Sequence, residues 1–159
     1  MSRGNRFSKE VLNRIQIKLP ALSVNEGMAR AAVAAFISQL DPGVTEAADI
    51  KCAVSEAVTN AIVHGYRDRG EGERGSGSIS ITVSILAGSA VKIEVKDKGC
   101  GIPDVAQARK PLYTTDAAGE RSGMGFTVME SFTDALRVTS KVGKGTTVVM
   151  YKRLSGRRI

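Results

Sequence analysis

Between residues 78 and 97 the sequence alternates with a two-residue period. Ile79, Ile81, Val83 and Ile85 are separated by serine and threonine, and after Ala87-Gly88-Ser89 the residues Val91, Ile93 and Val95 alternate with Lys92, Glu94 and Lys96. Successive side chains of a strand point to opposite faces, so this spacing predicts a hairpin with one apolar and one polar face. The apolar face needs a cover, and the flanking segments supply one. Ile15, Ile17 and Leu19 repeat the strand period as far as Pro20, and two more strands are expected at Ala135–Lys141 and Thr146–Tyr151, joined through Val142-Gly143-Lys144-Gly145.

Helical spacing fills the intervals. Ser23-Val24-Asn25-Glu26 has the pattern of a capping box, followed by Val24, Met28, Ala32, Ala35, Phe36 and Leu40 as an apolar stripe that should end at Asp41-Pro42-Gly43. A second helix is expected from near Thr45 to about His64, with Ile50, Val54, Ala57, Val58, Ala61 and Ile62 facing inward and Gly65 placed to stop it. Residues 67–77 hold four glycines and no large apolar residue, which reads as a surface loop. A short helical stretch follows Pro103, an irregular segment runs from about Pro111 to Gly125, and a short helix carries Phe126, Val128, Met129 and Phe132. The expected fold is therefore α+β: a two-layer α/β sandwich with helices on one face of a mixed, mostly antiparallel sheet. A chain of 159 residues buries roughly 70% of its unfolded surface and needs no covalent staple. One domain is expected at 13–153, with basic extensions at 1–12 and 154–159.

The formal net charge is +7, yet it belongs to the ends: residues 1–18 carry five basic and one acidic side chain, and residues 152–159 carry four basic ones. The 133 residues between hold 14 basic and 15 acidic groups. That is a poor footprint for direct nucleic-acid binding. No apolar run approaches the roughly 20 residues that span a bilayer, and no signal-peptide core opens the chain, so a cytoplasmic protein is expected. Two cysteines and one histidine make neither a disulfide framework nor a His/Cys metal cluster. Cys52 reads as a small core residue, and His64 as a cation at a helix C-terminus.

Glu56, Asn60 and His64 recur every four residues along the second helix. A solvated flank is the simplest account, but asparagine is a poor helix-interior residue unless its amide has a task. A carboxylate and an amide oxygen one turn apart suit a general base beside one ligand of a hard cation. Asp97 ends the second hairpin strand and is followed by Gly99 and Gly101, a carboxylate placed to read the donor edge of a purine. Arg121-Ser122-Gly123-Met124-Gly125 opens a helix, where exposed backbone amides bind phosphate. Gly145-Thr146 closes the series.

The order Glu-x3-Asn, Asp-x-Gly-x-Gly, Gly-x-Gly and Gly-Thr resembles the ATP-binding fold shared by gyrase, Hsp90, sensor histidine kinases and MutL, the GHKL superfamily. Leu22-Ser23-x-Asn25-Glu26-x-x-Ala29-Arg30, the run Ser55–Tyr66 and Glu120–Phe126 are similar, within it, to the serine kinases of the sporulation anti-sigma F type. The resemblance covers about residues 13–153. It implies a homodimeric partner switch that sequesters a sporulation sigma factor and phosphorylates a serine of an anti-anti-sigma antagonist with Mg²⁺ and ATP, leaving ADP. By the same resemblance Glu56 would be the base, Asn60 the Mg²⁺ ligand and Asp97 the contact to the adenine amino group, with Gly99 and Gly101 letting backbone approach the base. Arg121, Ser122, Gly123, Met124 and Gly125 would close over the phosphates, Thr114 and Thr115 fall in the same lid segment, and Thr146 would support the adenine end. Asn25, Glu26 and Arg30 would contact both protein partners. The alternatives are a stress-response kinase of the same switch family, a nucleotide-gated binding module without transfer, and an ATPase domain of histidine-kinase type, which the single histidine disfavours.

Overall fold

The computed structural model describes residues 7–66, 77–111 and 125–156. In chain order it contains β1 (Val11–Pro20), α1 (Asn25–Ile37), α2 (Val44–Asn60), β2 (Ser78–Leu86), β3 (Ala90–Asp97), α3 (Val105–Ala108), α4 (Gly125–Phe132), β4 (Ala135–Lys141) and β5 (Gly145–Arg153). A 3₁₀ turn, Ser38–Leu40, follows α1, and a π turn, Ala61–Gly65, extends α2.

The strands form one sheet in the order β1-β2-β3-β5-β4. All four neighbouring pairs are antiparallel, where a mixed sheet was expected. β3 and β4 do run in the same direction, but β5 lies between them, so no parallel ladder forms.

Register places Ile79, Ile81, Val83 and Ile85, with Val91, Ile93 and Val95, on the helix side. Ile17 pairs with Ile81, Ile81 with Val95, Val95 with Val148 and Val148 with Val138. Against this face pack Ala29, Val33 and Ile37 of α1, Ile50, Val54, Ala57 and Val58 of α2, and Met129 of α4. Ile37, Ile50, Ile81 and Ile85 are wholly buried. Each such side chain contributes about 1.5–3 kcal/mol relative to exposure, so the seam between sheet and helices carries the stability. The other face sets Lys18, Ser80, Lys96 and Thr147 side by side in register and carries a smaller apolar cluster of Phe7, Leu86 and Ala90.

Several local expectations change. The buried stripe of α1 is Ala29, Val33 and Ile37, while Val24 and Met28 stand exposed at 80% and 58%. α1 has Val24 at its N-cap and so no side-chain cap, and Glu26 turns toward α2, where its carboxylate accepts from the Ser55 hydroxyl. The reach-back contact appears instead on α2, where Glu46 accepts from the Gly43 amide at 2.9 Å. Cys52 is exposed rather than in the core. Its position on α2 lies outside the stripe that contains Ala53, Val54, Ala57 and Val58.

The folded unit also reaches beyond residues 13–153. Phe7 is buried and stacks on Tyr151 with ring centroids 4.9 Å apart, under the Arg153 guanidinium at 5.1 Å. At the other end Leu154 enters the core, and Ser155 donates to Glu46 through its amide at 2.9 Å and its hydroxyl at 3.1 Å. Burial raises the Glu46 carboxyl, but the bonds from Gly43 and Ser155, with Lys152 beyond, carry it below its ordinary value.

Candidate functional site

At the end of β3 the chain turns inward. Asp97 shares the apolar face of the hairpin with Val95 and is only 6% exposed. Burial pushes its carboxyl upward, and hydrogen bonds from the Gly99 and Thr146 amides partly offset that rise. The Gly99 bond is 2.9 Å. A buried carboxylate held by two amides is fixed in direction and keeps acceptor capacity for a third donor.

Gly99 sits where only a glycine fits. A Cβ there would lie 1.8 Å from the Gly65 carbonyl oxygen, and the neighbouring Cys100 amide donates to that same oxygen at 2.7 Å. Gly101 has φ +78°, and a Cβ would lie 2.3 Å from the Lys141 carbonyl oxygen. Both glycines thus face protein backbone, so their need for glycine arises inside the fold and not from a ligand. Gly65 does not take the left-handed conformation of a helix-stopping glycine. It closes the π turn, and its missing Cβ makes room for the Asp97 carboxylate, which would otherwise lie 3.0 Å away. Single π turns inside helices are frequent at functional sites. This one also widens the last turn of the helix, so His64 leaves the strict four-residue line of Glu56 and Asn60.

Thr146 follows Asp97 across the sheet end and is 8% exposed. Its hydroxyl is 2.8 Å from that of Ser140, which accepts from the Ile102 amide at 2.7 Å and donates to the Gly145 carbonyl at 3.1 Å. No motif marks Ser140, and Tyr66 closes the run Ser55–Tyr66 without a role of its own. The Tyr66 hydroxyl accepts from the Lys98 amide at 2.9 Å and donates to the Ser78 carbonyl at 2.6 Å, tying the start of β2 to the end of β3. Ser140 has a signal in sequence only as the residue opposite Thr146 in a predicted hairpin.

Asn60 ends α2, and Gly125 begins α4 directly against it. A Cβ on Gly125 would lie 2.9 Å from Asn60 Nδ2 and 3.1 Å from Oδ1. Asp97, Gly99, Gly101 and Thr146 thus gather around Gly65 at one end of the sheet, while Asn60, earlier on the same helix, lies against Gly125, with Glu56 one helical turn before Asn60. Thr114, Thr115, Arg121, Ser122, Gly123 and Met124 lie outside the described residues, as does the glycine-rich run 67–76.

The three α1 positions differ in accessibility. Asn25 donates to the Pro20 carbonyl at 2.9 Å, and Glu26 holds both Ser55 and Arg30, the latter at 3.5 Å. Arg30 keeps 46% of its side chain exposed. Met28 is exposed on the side of α1 away from Glu26 and Arg30, and Val24 is exposed just before the helix.

Residues 19–152 match the family described as histidine kinase-like ATPase domain. An anti-sigma F factor of Geobacillus kaustophilus is 49% identical over 143 residues, covering 90% of this chain and 94% of that protein. One from Clostridium perfringens is 48% identical over 143 residues, covering 90% of this chain and 98% of that protein. Among solved structures, the RsbU and RsbW domains of a Mycobacterium tuberculosis protein align with a TM-score of 0.65 at 21% identity, covering 92% of this chain and 34% of that one. That last likeness speaks to the fold alone. With its sheet order, its buried aspartate and its paired Asn60 and Gly125 in place, this chain belongs to the histidine kinase-like ATPase domain family and, within it, to the anti-sigma F factors.

Proposed function

We propose that this chain is a nucleotide-dependent anti-sigma factor that holds a sporulation sigma factor and phosphorylates a serine of an anti-anti-sigma antagonist, using ATP with Mg²⁺. What supports the reading is the pairing of Asp97 with Thr146 and of Asn60 with Gly125, in a chain nearly half identical to anti-sigma F factors. Asp97 accepts from the adenine amino group. Asn60 Oδ1 offers a hard oxygen of the kind Mg²⁺ takes when phosphate oxygens supply other ligands. Thr114, Thr115 and the run Arg121–Gly125 would contact the phosphates. Gly99 and Gly101 shape the wall behind the base.

In the transfer step Glu56 takes the proton of the substrate serine as its oxygen bonds to the γ-phosphorus. The bond to the β–γ bridging oxygen breaks and ADP leaves. Most of such a barrier is lowered by positioning and by neutralising charge on the transferring group. A cover that touches the γ-phosphate also distinguishes ATP from ADP, so the nucleotide shifts the balance between partner-binding states. The same reading makes the chain a cytoplasmic homodimer that meets its partners through Asn25, Glu26 and Arg30. Among the described residues no helix is long and apolar enough to cross a membrane.

Incubation with labelled ATP and the cognate anti-anti-sigma protein tests the reading, with phosphoserine on the antagonist as the expected product. Partner binding without phosphoserine would leave a nucleotide-gated binding module, and co-purification with a stress-response sigma factor would move the chain to that branch of the switch. In Glu56→Gln, ATP affinity should stay within about twofold while turnover falls about 10²–10⁴-fold, the usual contribution of a positioned base. Single-turnover phosphorylation measures this, and unchanged turnover removes Glu56 from the role. Arg30→Glu should weaken both protein partners by about tenfold or more through charge reversal in the interface, with nucleotide affinity unchanged. Parallel calorimetric titrations with nucleotide and with each partner separate the two effects.

A further inference from the structure

We infer that Ser140 sets which nucleobase this site accepts, by holding the Thr146 hydroxyl as a hydrogen-bond acceptor beside Asp97. The inference rests on the reading of Asp97 as the purine contact and goes beyond it to a residue that no motif marks.

β4 and β5 place Ser140 directly opposite Thr146. Three groups surround Ser140 Oγ: the Ile102 amide at 2.7 Å, the Gly145 carbonyl at 3.1 Å and Thr146 Oγ1 at 2.8 Å. A hydroxyl has one proton and two lone pairs. The Ile102 amide only donates, and the Gly145 carbonyl only accepts. We assign the Ser140 proton to Gly145, the partner that can only accept, and one lone pair to Ile102. On that assignment a lone pair remains for Thr146, which makes Thr146 the donor in a contact whose distance fits either direction.

The Thr146 proton is thereby committed, and Thr146 Oγ1 presents only lone pairs to anything else. Asp97 is fixed in the same sense, since its carboxylate already accepts from the Gly99 and Thr146 amides. Two acceptors side by side select a donor edge. A 6-amino group carries two N–H donors and satisfies both acceptors, whereas a 6-oxo group sets its oxygen lone pairs against theirs and the adjacent N1–H can meet only one of the two. At 8% exposure for Thr146 and 6% for Asp97, little water is at hand to absorb the mismatch, and buried acceptors left unpaired are what lets a polar site reject the wrong ligand. Left to itself, the Thr146 hydroxyl would rotate and donate to a 6-oxo group. Ser140 prevents that rotation.

The experiment measures dissociation constants for ATP and for ITP, which carries a 6-oxo group, on the full chain and its variants by calorimetry. Ser140→Ala is expected to lower the preference for ATP over ITP about five- to tenfold, the scale of one hydrogen bond. Ser140→Thr keeps the hydroxyl and should keep the preference. Thr146→Val should lower it as well, and the double variant should go no lower than Thr146→Val alone, because both act on one hydroxyl. Parallel weakening of both nucleotides in Ser140→Ala, with the ratio unchanged, would reduce Ser140 to a brace between strands and overturn the inference. If the alanine variant does not fold, Thr146→Val decides: an unchanged ratio there overturns it equally. Failure of the unsubstituted chain to bind ATP is a separate result, which removes the functional reading itself.

Discussion

Gly99→Ala is expected to be the most damaging single methyl that can be added to this site. Its Cβ would lie 1.8 Å from the Gly65 carbonyl oxygen, 2.3 Å from the Gly65 carbonyl carbon and 2.8 Å from its Cα. These are backbone atoms of the π turn, with no flexible side chain among them to move aside. Relief requires opening the contact between β3 and the end of α2, which also breaks the Cys100 amide bond to Gly65 and displaces Asp97. Overpacking of this kind costs about 3 kcal/mol or more, a fall in melting temperature of about 6–12 °C for a domain of this size. Nucleotide affinity should be lost together with stability. Gly143→Ala is the matched control: its φ of +76° strains an L-residue, but nothing lies within 4 Å of the added carbon. It should cost about 1–2 kcal/mol from backbone strain alone and leave nucleotide binding intact. A Gly99→Ala variant that melts with the unsubstituted protein would show that the turn relaxes freely.

Asn60→Ala should separate binding from folding in the opposite way. Asn60 is half-buried and contributes no core volume, and its amide lies against Gly125, where the removed atoms leave open space in place of a clash. The melting temperature should not move. Affinity for ATP in the presence of Mg²⁺ should fall at least about a hundredfold, since loss of even an outer-shell partner costs a metal site 10–100-fold. Affinity measured without the cation should change far less. An unaltered affinity with Mg²⁺ present would take Asn60 out of the cation site.

Much of the architecture was legible because it depends on local period. The alternation from Ile79 to Val95 requires a hairpin with one buried face, and the spacing of Ile50, Val54, Ala57 and Val58 requires a helix to cover it. α1 was misread in its facing: Val24 and Met28 keep a helical interval with Ala32 and Phe36, but Ala29, Val33 and Ile37 keep one too. Which of the two stripes turns inward depends on what α1 packs against, and local sequence does not contain that. The capping box at Ser23–Glu26 did not form. Val24 takes the N-cap, and the Glu26 carboxylate meets Ser55, on a different helix.

The site shows the same division. Asp97, Asn60 and the glycine clusters stand out in a linear reading because aspartate at a strand end, asparagine inside a helix and paired glycines are costly unless they have a task. Their tasks were less legible. Gly99 and Gly101 look like openings for a ligand in sequence, and in three dimensions they are the close approach of one backbone to another. Ser140 and Tyr66 look like ordinary strand and turn residues, yet their hydroxyls direct Thr146 and join β2 to β3.

Fold class, strand and helix content and the chemical types at the nucleotide end follow from residue order alone, because hydrophobic period and backbone preference act over a few residues. Strand order, the facing of α1, the depth of Asp97 and the direction of the Thr146 proton arise only when segments far apart in the chain meet. Burial and hydrogen-bond saturation belong to such meetings, and no single segment carries them.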